Sequence, residues 1–161
     1  MKIKGNAWIF GDSVDTDQII ATQYLILPME QMKKHTLEIV DEEFACSVKN
    51  GDIVVGGKNF GCGSSREQAP QVLKELGVKC VVAEGFARIF YRNCINIGLP
   101  IIQIKDISQF IKKDDVIEID LENGQLTNCQ NGKTYSFNSL PGFLMEIINS
   151  GGLIESVNGK L

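Results

Sequence analysis

The sequence predicts an α/β fold in which a parallel α/β core is followed by a small antiparallel β meander. Three observations point there. The middle of the chain carries short all-apolar runs of the buried parallel-strand kind, such as Cys80-Val81-Val82. Helical segments separate those runs, and Gly77 and Gly98 stand where the helices should end. Further on, apolar and polar residues alternate around two Asn-Gly pairs, a strong short-range signal for hairpins.

Taken in order, Ala7–Phe10 reads as the first strand, Gly11–Asp17 as a loop and Glu30–Val40 as a short helix. Asn50-Gly51 marks a turn before a strand over Asp52–Gly56. After the loop Gly57–Pro70, Gln71–Leu76 reads as helix and Lys79–Ala83 as strand. A second helix over Phe86–Ile97, ended by Gly98 and Pro100, leads to a buried strand over Ile101–Ile104. The middle is therefore strand–loop–helix–strand–helix–strand with right-handed crossovers. Val116–Leu121 puts Ile117, Ile119 and Leu121 on one face and Glu118 and Asp120 on the other. Gln125–Cys129 and Lys133–Phe137 complete the meander, each preceded by an Asn-Gly pair. Pro141–Asn149 is the last helix, with Pro at its start and Gly151-Gly152 past its end. No repeat or low-complexity linker divides the chain, so residues 1–161 read as one domain.

Composition narrows the function. Hydrophobic residues make up 43% and charged residues 22%, which excludes a disordered, collagen-like or coiled-coil chain. Lys+Arg is 16 against 20 Asp+Glu, and no basic block exists. Nucleic-acid binding through phosphates therefore has no electrostatic footprint. The start lacks a signal-peptide core, and no apolar run approaches the ~20 residues that span a bilayer, so the expectation is a cytoplasmic protein with no membrane partner. The cysteines number five, are widely spaced and form no C-x-x-C. That argues against a disulfide framework and against a zinc or iron–sulfur site held by this chain alone.

The segment Gly61-Cys62-Gly63-Ser64-Ser65-Arg66 lies between a strand and a helix. Ser64 with Glu67, and Ser65 with Gln68, have capping-box spacing. Free N–H groups at a helix start favour an anion, and the Arg66 fork suits a carboxylate. Pro70 implies a kink, or a helix that begins near it. Two readings fit: a capping loop without chemistry, and a carboxylate or phosphate site. Known phosphate motifs match poorly. The dinucleotide fingerprint wants Gly or Ala where Arg66 stands, and Gly132-Lys133-Thr134 imitates a P-loop end but has Thr127 in place of its first glycine. A Ser–His–Asp triad would have to use His35, the only histidine. Cys62 is placed for a lowered thiol pKa near a helix start, though no base stands near it in sequence.

Three segments carry a resemblance: Gly11-Asp12-Ser13-Val14-Asp15-Thr16-Asp17-Gln18-Ile19-Ile20, the loop Asn59–Pro70, and Phe86-Ala87-Arg88-Ile89-Phe90-Tyr91-Arg92-Asn93. In this order and spacing they resemble the small subunits of 3-isopropylmalate dehydratases, which correspond to the swivel domain of the aconitase superfamily. The resemblance spans essentially the whole chain. It implies a swivelling β/β/α domain that closes over a large subunit carrying a [4Fe–4S] cluster, with no metal or cofactor bound by the small subunit itself. It implies Ser64 as the proton acceptor, with Gly63, Ser65 and Arg66 against the substrate and Cys62 as a loop neighbour. Thr16 and Asp17 match a loop close to that site. Asp17 then either orients the serine loop or contacts the other subunit, and on its residue type alone it also reads as an N-cap for a turn at Gln18–Ala21.

Substrate choice in such proteins is expected in Tyr24–Pro28. Homoaconitases resemble this chain but carry Arg at the position of Ile26, where it pairs with an extra carboxylate. An apolar Ile26 suits an isopropyl group; the plain alternative is a core residue. The implied activity interconverts 2-isopropylmalate and 3-isopropylmalate by dehydration and rehydration, in leucine biosynthesis. The alternatives are a small subunit acting on 2,3-dimethylmalate, on a citramalate-type substrate or on homoaconitate, or a non-catalytic anion-binding domain. The partners implied are the iron–sulfur large subunit and an alkyl-malate substrate; a homo-oligomer of the free small subunit stays open.

Overall fold

The computed structural model describes residues 1–161. Its elements run β1 (Lys2–Ile9), α1 (Thr16–Ile19), α2 (Met29–Met32), α3 (Phe44–Ser47), β2 (Ile53–Gly56), α4 (Gln68–Glu75), β3 (Cys80–Ala83), α5 (Arg88–Asn96) and β4 (Ile101–Gln103). Then follow α6 (Ile107–Phe110), β5 (Val116–Asp120), β6 (Gln125–Asn128), β7 (Thr134–Ser136), α7 (Gly142–Asn149) and α8 (Leu153–Asn158).

The strands form one sheet in the order β4-β3-β2-β1-β5-β6-β7. The expected parallel core and meander are both present, and β1 joins them. Ala7–Ile9 pairs parallel with β2, while Lys2–Asn6 pairs antiparallel with β5. The first strand is thus longer than the apolar run at Ala7–Phe10. Its early residues alternate around a single buried apolar residue, Ile3, between exposed Lys2 and Lys4.

Both faces of the parallel strands are buried, as their unbroken apolar runs require. Val54 and Val81 face a core completed by Ala69, Val72 and Leu73 of α4 and by Phe90, Cys94 and Ile95 of α5. Ile53, Val55, Cys80 and Val82 face the opposite core, which Ile107 of α6 and Ile117, Ile119 and Leu126 of the meander close. Helices, parallel strands and curled meander therefore stack as three layers, the β/β/α arrangement.

Several local expectations change. The helix placed at Glu30–Val40 is only α2 and a 3-10 turn at Lys33–His35. Buried Leu37 then takes a left-handed backbone (φ 56°) and ends the helical path, its N–H donating to Ile19 O at 2.8 Å. Helix α4 starts at Gln68, three residues earlier than expected, with Pro70 in its first turn. The missing Pro70 N–H there would have had no intrahelical partner. Neither proposed capping box at Ser64 or Ser65 forms: the N-cap of α4 is Glu67, without a side-chain bond. Gly151-Gly152 does not end the helical part of the chain, because α8 begins directly after it.

Candidate active site

The loops after β1, β2 and β3 meet at the carboxyl ends of the parallel strands, where open α/β sheets gather ligands. Backbone bonds zip the first two together: Gly57 N to Gly11 O at 3.1 Å, Ser13 N to Lys58 O at 2.8 Å, Gly61 N to Val14 O at 2.7 Å and Thr16 N to Cys62 O at 2.9 Å. Phe60 N to Gly85 O and Ala87 N to Phe60 O, both 2.9 Å, tie in the third. The three segments singled out in the sequence are therefore neighbours in one built structure.

Two glycines shape the serine loop. Gly61 (φ +80°) sits so close to the Phe90 ring that a Cβ would overlap it. Gly63 (φ +93°) has room for a Cβ but a backbone that side chains rarely adopt. Phe90 is buried and packed edge-on to Phe60 at 5.5 Å, so it has little freedom to yield. Gly61→Ala is expected to lower folding stability by about 2–4 kcal/mol, from the left-handed backbone and the ring clash together. A urea midpoint equal to that of the parent chain would contradict this account of the loop.

Beyond Gly63, Ser64 and Ser65 are exposed and Arg66 turns back into the fold. Thr16 Oγ1 donates to Ser64 O at 3.0 Å and lies 3.2 Å from Ser64 Oγ. The Arg66 guanidinium donates through Nη1 to Ile20 O at 2.9 Å and through Nη2 to Thr22 Oγ1 at 2.7 Å. Nη2 also pairs with Asp17 Oδ1 at 2.7 Å. Three of the five N–H donors of the guanidinium are thus engaged and two remain. The Arg66 side chain is 15% exposed and that of Asp17 63%. Asp17 accordingly pairs with the serine loop. It does not cap a helix: the N-cap of α1 is Asp15, in a capping box with Gln18.

Cys62 does not have the activated thiol expected of a helix-start cysteine. Partial burial and the Asp15 carboxylate both push it up. It sits before the helix and beside an acidic cap, so the local field has the wrong sign for a thiolate. His35 is also remote from serine chemistry. Its Nδ1 lies 2.9 Å from Glu38 Oε2, and its ring stacks on Tyr24 at 3.7 Å. That stack anchors the start of the Tyr24–Pro28 segment. The Glu38 carboxylate beside Tyr24 holds the phenol above its ordinary range. Ile26 is 90% exposed, which removes the core reading for it. Arg66 grips Ile20 and Thr22, so the chain leading to Ile26 is tethered to the serine loop.

Sequence reasoning missed three supports. Asp12 Oδ1 accepts from Lys58 N at 2.7 Å, Thr22 receives Arg66, and Asp15 caps α1. The last is visible in the sequence, since Asp15 and Gln18 have the same capping-box spacing as Ser64 and Glu67. No three His, Cys, Asp or Glu side chains converge to hold a metal ion. Cys80 and Cys94 are buried with thiols pushed well up by burial, whereas Cys46 and Cys129 are exposed. These residues do not fit an iron–sulfur cluster. The largest cavity, about 550 Å³, lies elsewhere, between β4, α5 and the Phe137–Leu140 segment. None of the four surface cavities is lined by Ser64, Ser65, Arg66 or Ile26. The serine loop is an open rim.

A β/β/α fold with this loop at the strand ends defines a domain of the aconitase type, and residues 12–107 match the family model of the aconitase C-terminal domain. The 3-isopropylmalate dehydratase small subunit of Halothermothrix orenii is 49% identical over 100% of this chain and 98% of its own length. The isopropylmalate/citramalate isomerase small subunit of Methanocaldococcus jannaschii is 48% identical over 99% of this chain and 95% of its own. A crystal structure of a 3-isopropylmalate dehydratase from Methanocaldococcus jannaschii aligns with a TM-score of 0.94 at 43% identity, covering 99% of this chain and 95% of that one. The chain belongs to the family of 3-isopropylmalate dehydratase small subunits.

Proposed function

We propose that residues 1–161 act as one swivelling unit that brings Ser64 to a substrate held on an iron–sulfur large subunit. The enzyme is a hydro-lyase that interconverts 2-isopropylmalate and 3-isopropylmalate, working in the cytoplasm in leucine biosynthesis. The observation that carries this reading is the open rim: Ser64 is exposed, backed by Thr16, and belongs to no cavity of its own. A base on a rim gains a dry site only when a second body closes over it. No helix is long and apolar enough to cross a membrane.

Ser64 takes the proton from the carbon beside a substrate carboxylate. Ser65 and the two free N–H groups of Arg66 hold that carboxylate, Gly63 keeps the loop backbone open to it, and Ile26 meets the alkyl group. Asp17 acts through Arg66, fixing its guanidinium against the serine loop. Cys62 is a packed neighbour. The large subunit's cluster supplies the Lewis acid that assists loss of hydroxide.

The test is a dehydratase assay of anaerobically reconstituted large and small subunits on a panel of malates, with highest kcat/KM expected for 3-isopropylmalate. A second substrate is favoured by the Methanocaldococcus jannaschii relative, whose name couples isopropylmalate with citramalate. The same panel decides between them. The separate chain is expected to bind no iron and to show no activity, because its cysteines do not converge. Stoichiometric iron and cluster absorbance in the purified small subunit would overturn that expectation.

A further inference from the structure

We propose that Thr16 is a positioning residue for Ser64: its hydroxyl fixes where the Ser64 proton points and donates to Ser64 Oγ when that oxygen carries charge. The inference rests on the reading of Ser64 as proton acceptor. Thr16 is 2% exposed and held on both sides by backbone, its N–H donating to Cys62 O at 2.9 Å and its carbonyl accepting from Ile20 N at 3.0 Å. Asp15 and Gln18 lock the same turn through the capping box. The side chain is therefore fixed by a rigid corner, and its Oγ1 reaches both oxygens of Ser64, O at 3.0 Å and Oγ at 3.2 Å.

Hydrogen counting sets the directions. A hydroxyl has one hydrogen to give, and a carbonyl oxygen can only accept. With both contacts made, Thr16 donates to Ser64 O and Ser64 Oγ–H donates to Thr16 Oγ1. Ser64 Oγ–H first gives its proton to water at the open rim, leaving an alkoxide that has no hydrogen and needs donors. Rotation of the Thr16 O–H supplies one without moving a heavy atom. The Ser64 carbonyl keeps the Arg66 N–H at 2.9 Å, so it is not left without a partner. The Arg66 side chain meanwhile faces Ile20, Thr22 and Asp17. Thr16 is the one side chain hydrogen-bonded to Ser64 Oγ. When Oγ takes the substrate proton, the new O–H points at Thr16 Oγ1, and the Thr16 hydrogen returns to the carbonyl. No proton passes through Thr16.

The test compares Thr16→Val, Thr16→Ser, Ser64→Ala and the Thr16→Val/Ser64→Ala double variant, each assembled with the large subunit. Thr16→Val is expected to lower kcat about 10- to 100-fold, the rate equivalent of one charge-assisted hydrogen bond. KM should stay within about twofold, because Thr16 acts through Ser64 and not on the substrate. Thr16→Ser should recover most of the rate, and Thr16→Val should add nothing in the Ser64→Ala background. An unchanged kcat in Thr16→Val overturns the proposal, as does a loss in Thr16→Ser equal to that in Thr16→Val. Substantial turnover by Ser64→Ala would instead overturn the reading of Ser64 as base. An inactive Ser64→Ala beside a normal Thr16→Val removes only the role given to Thr16.

Discussion

Replacing Ser64 by alanine is expected to cut turnover of the assembled dehydratase by about 10²- to 10⁴-fold, the usual range for losing a positioned acid–base group. The change should leave fold and subunit association intact. Ser64 is exposed, and the bond that fixes the loop runs from Thr16 to the Ser64 backbone carbonyl, which alanine retains. Gly61 and Gly63 set the loop path independently of the hydroxyl. Nothing else in the loop can replace it as base: the Cys62 thiol is held protonated by burial and Asp15, and the Arg66 guanidinium cannot accept a proton. Steady-state kinetics with a fixed large subunit measure the effect. A kcat near that of the parent, with normal assembly, would remove Ser64 from the mechanism.

Ile26→Arg is expected to shift substrate choice by about one to two orders of magnitude. Ile26 is 90% exposed in the separate chain, so the substitution costs little in folding. Its effect should appear only in the closed complex. There, losing the burial of a branched alkyl group is worth about 1.5–3 kcal/mol, or about 10- to 150-fold in kcat/KM for 3-isopropylmalate. The new guanidinium must also be desolvated without a partner. A malate with a terminal carboxylate supplies that partner and should suffer less, or gain. The quantity to compare is the ratio of kcat/KM for the two substrates before and after the change. A ratio that does not move would mean that Tyr24–Pro28 does not read the substrate, leaving the other alkyl-malates as equal candidates.

The layers of this fold were legible because each has its own period. Unbroken runs such as Ile53-Val54-Val55 announce strands buried on both faces, and the alternation from Val116 announces a sheet with one face toward a core. What could not be seen is the seam. Nothing local in Lys2–Asn6 tells that it will pair with a strand near the other end of the chain. The one-turn helices α3 and α6 are too short to show periodicity. In the site, glycine, serine and arginine were readable as types, but their partners were not. Arg66 reads as a free fork in sequence, yet the fold turns it onto Ile20, Thr22 and Asp17. The pKa expected for Cys62 failed for a related reason: it assumed a helix dipole, whereas partial burial and, after it, an acidic neighbour from another loop push the thiol up.

The strand shared by both halves of the sheet also governs the order in which this chain can be finished. During synthesis β1 emerges first, and β2 can join it early through Ala7–Ile9. Its other edge stays unpaired until β5 arrives, because Lys2 waits for Asp120 and Ile3 for Ile119. Contacts of such separation slow folding, since the intervening chain must be closed before they contribute. Until then Ile53, Val55, Cys80 and Val82 lack the meander that covers them. The nascent chain thus carries an open edge and an uncovered apolar face together, the combination most prone to aggregate. The pairing that closes this edge is the return of β5 to the first residues of β1, and the strand-end loops after β1, β2 and β3, which carry the candidate site, are made well before that step.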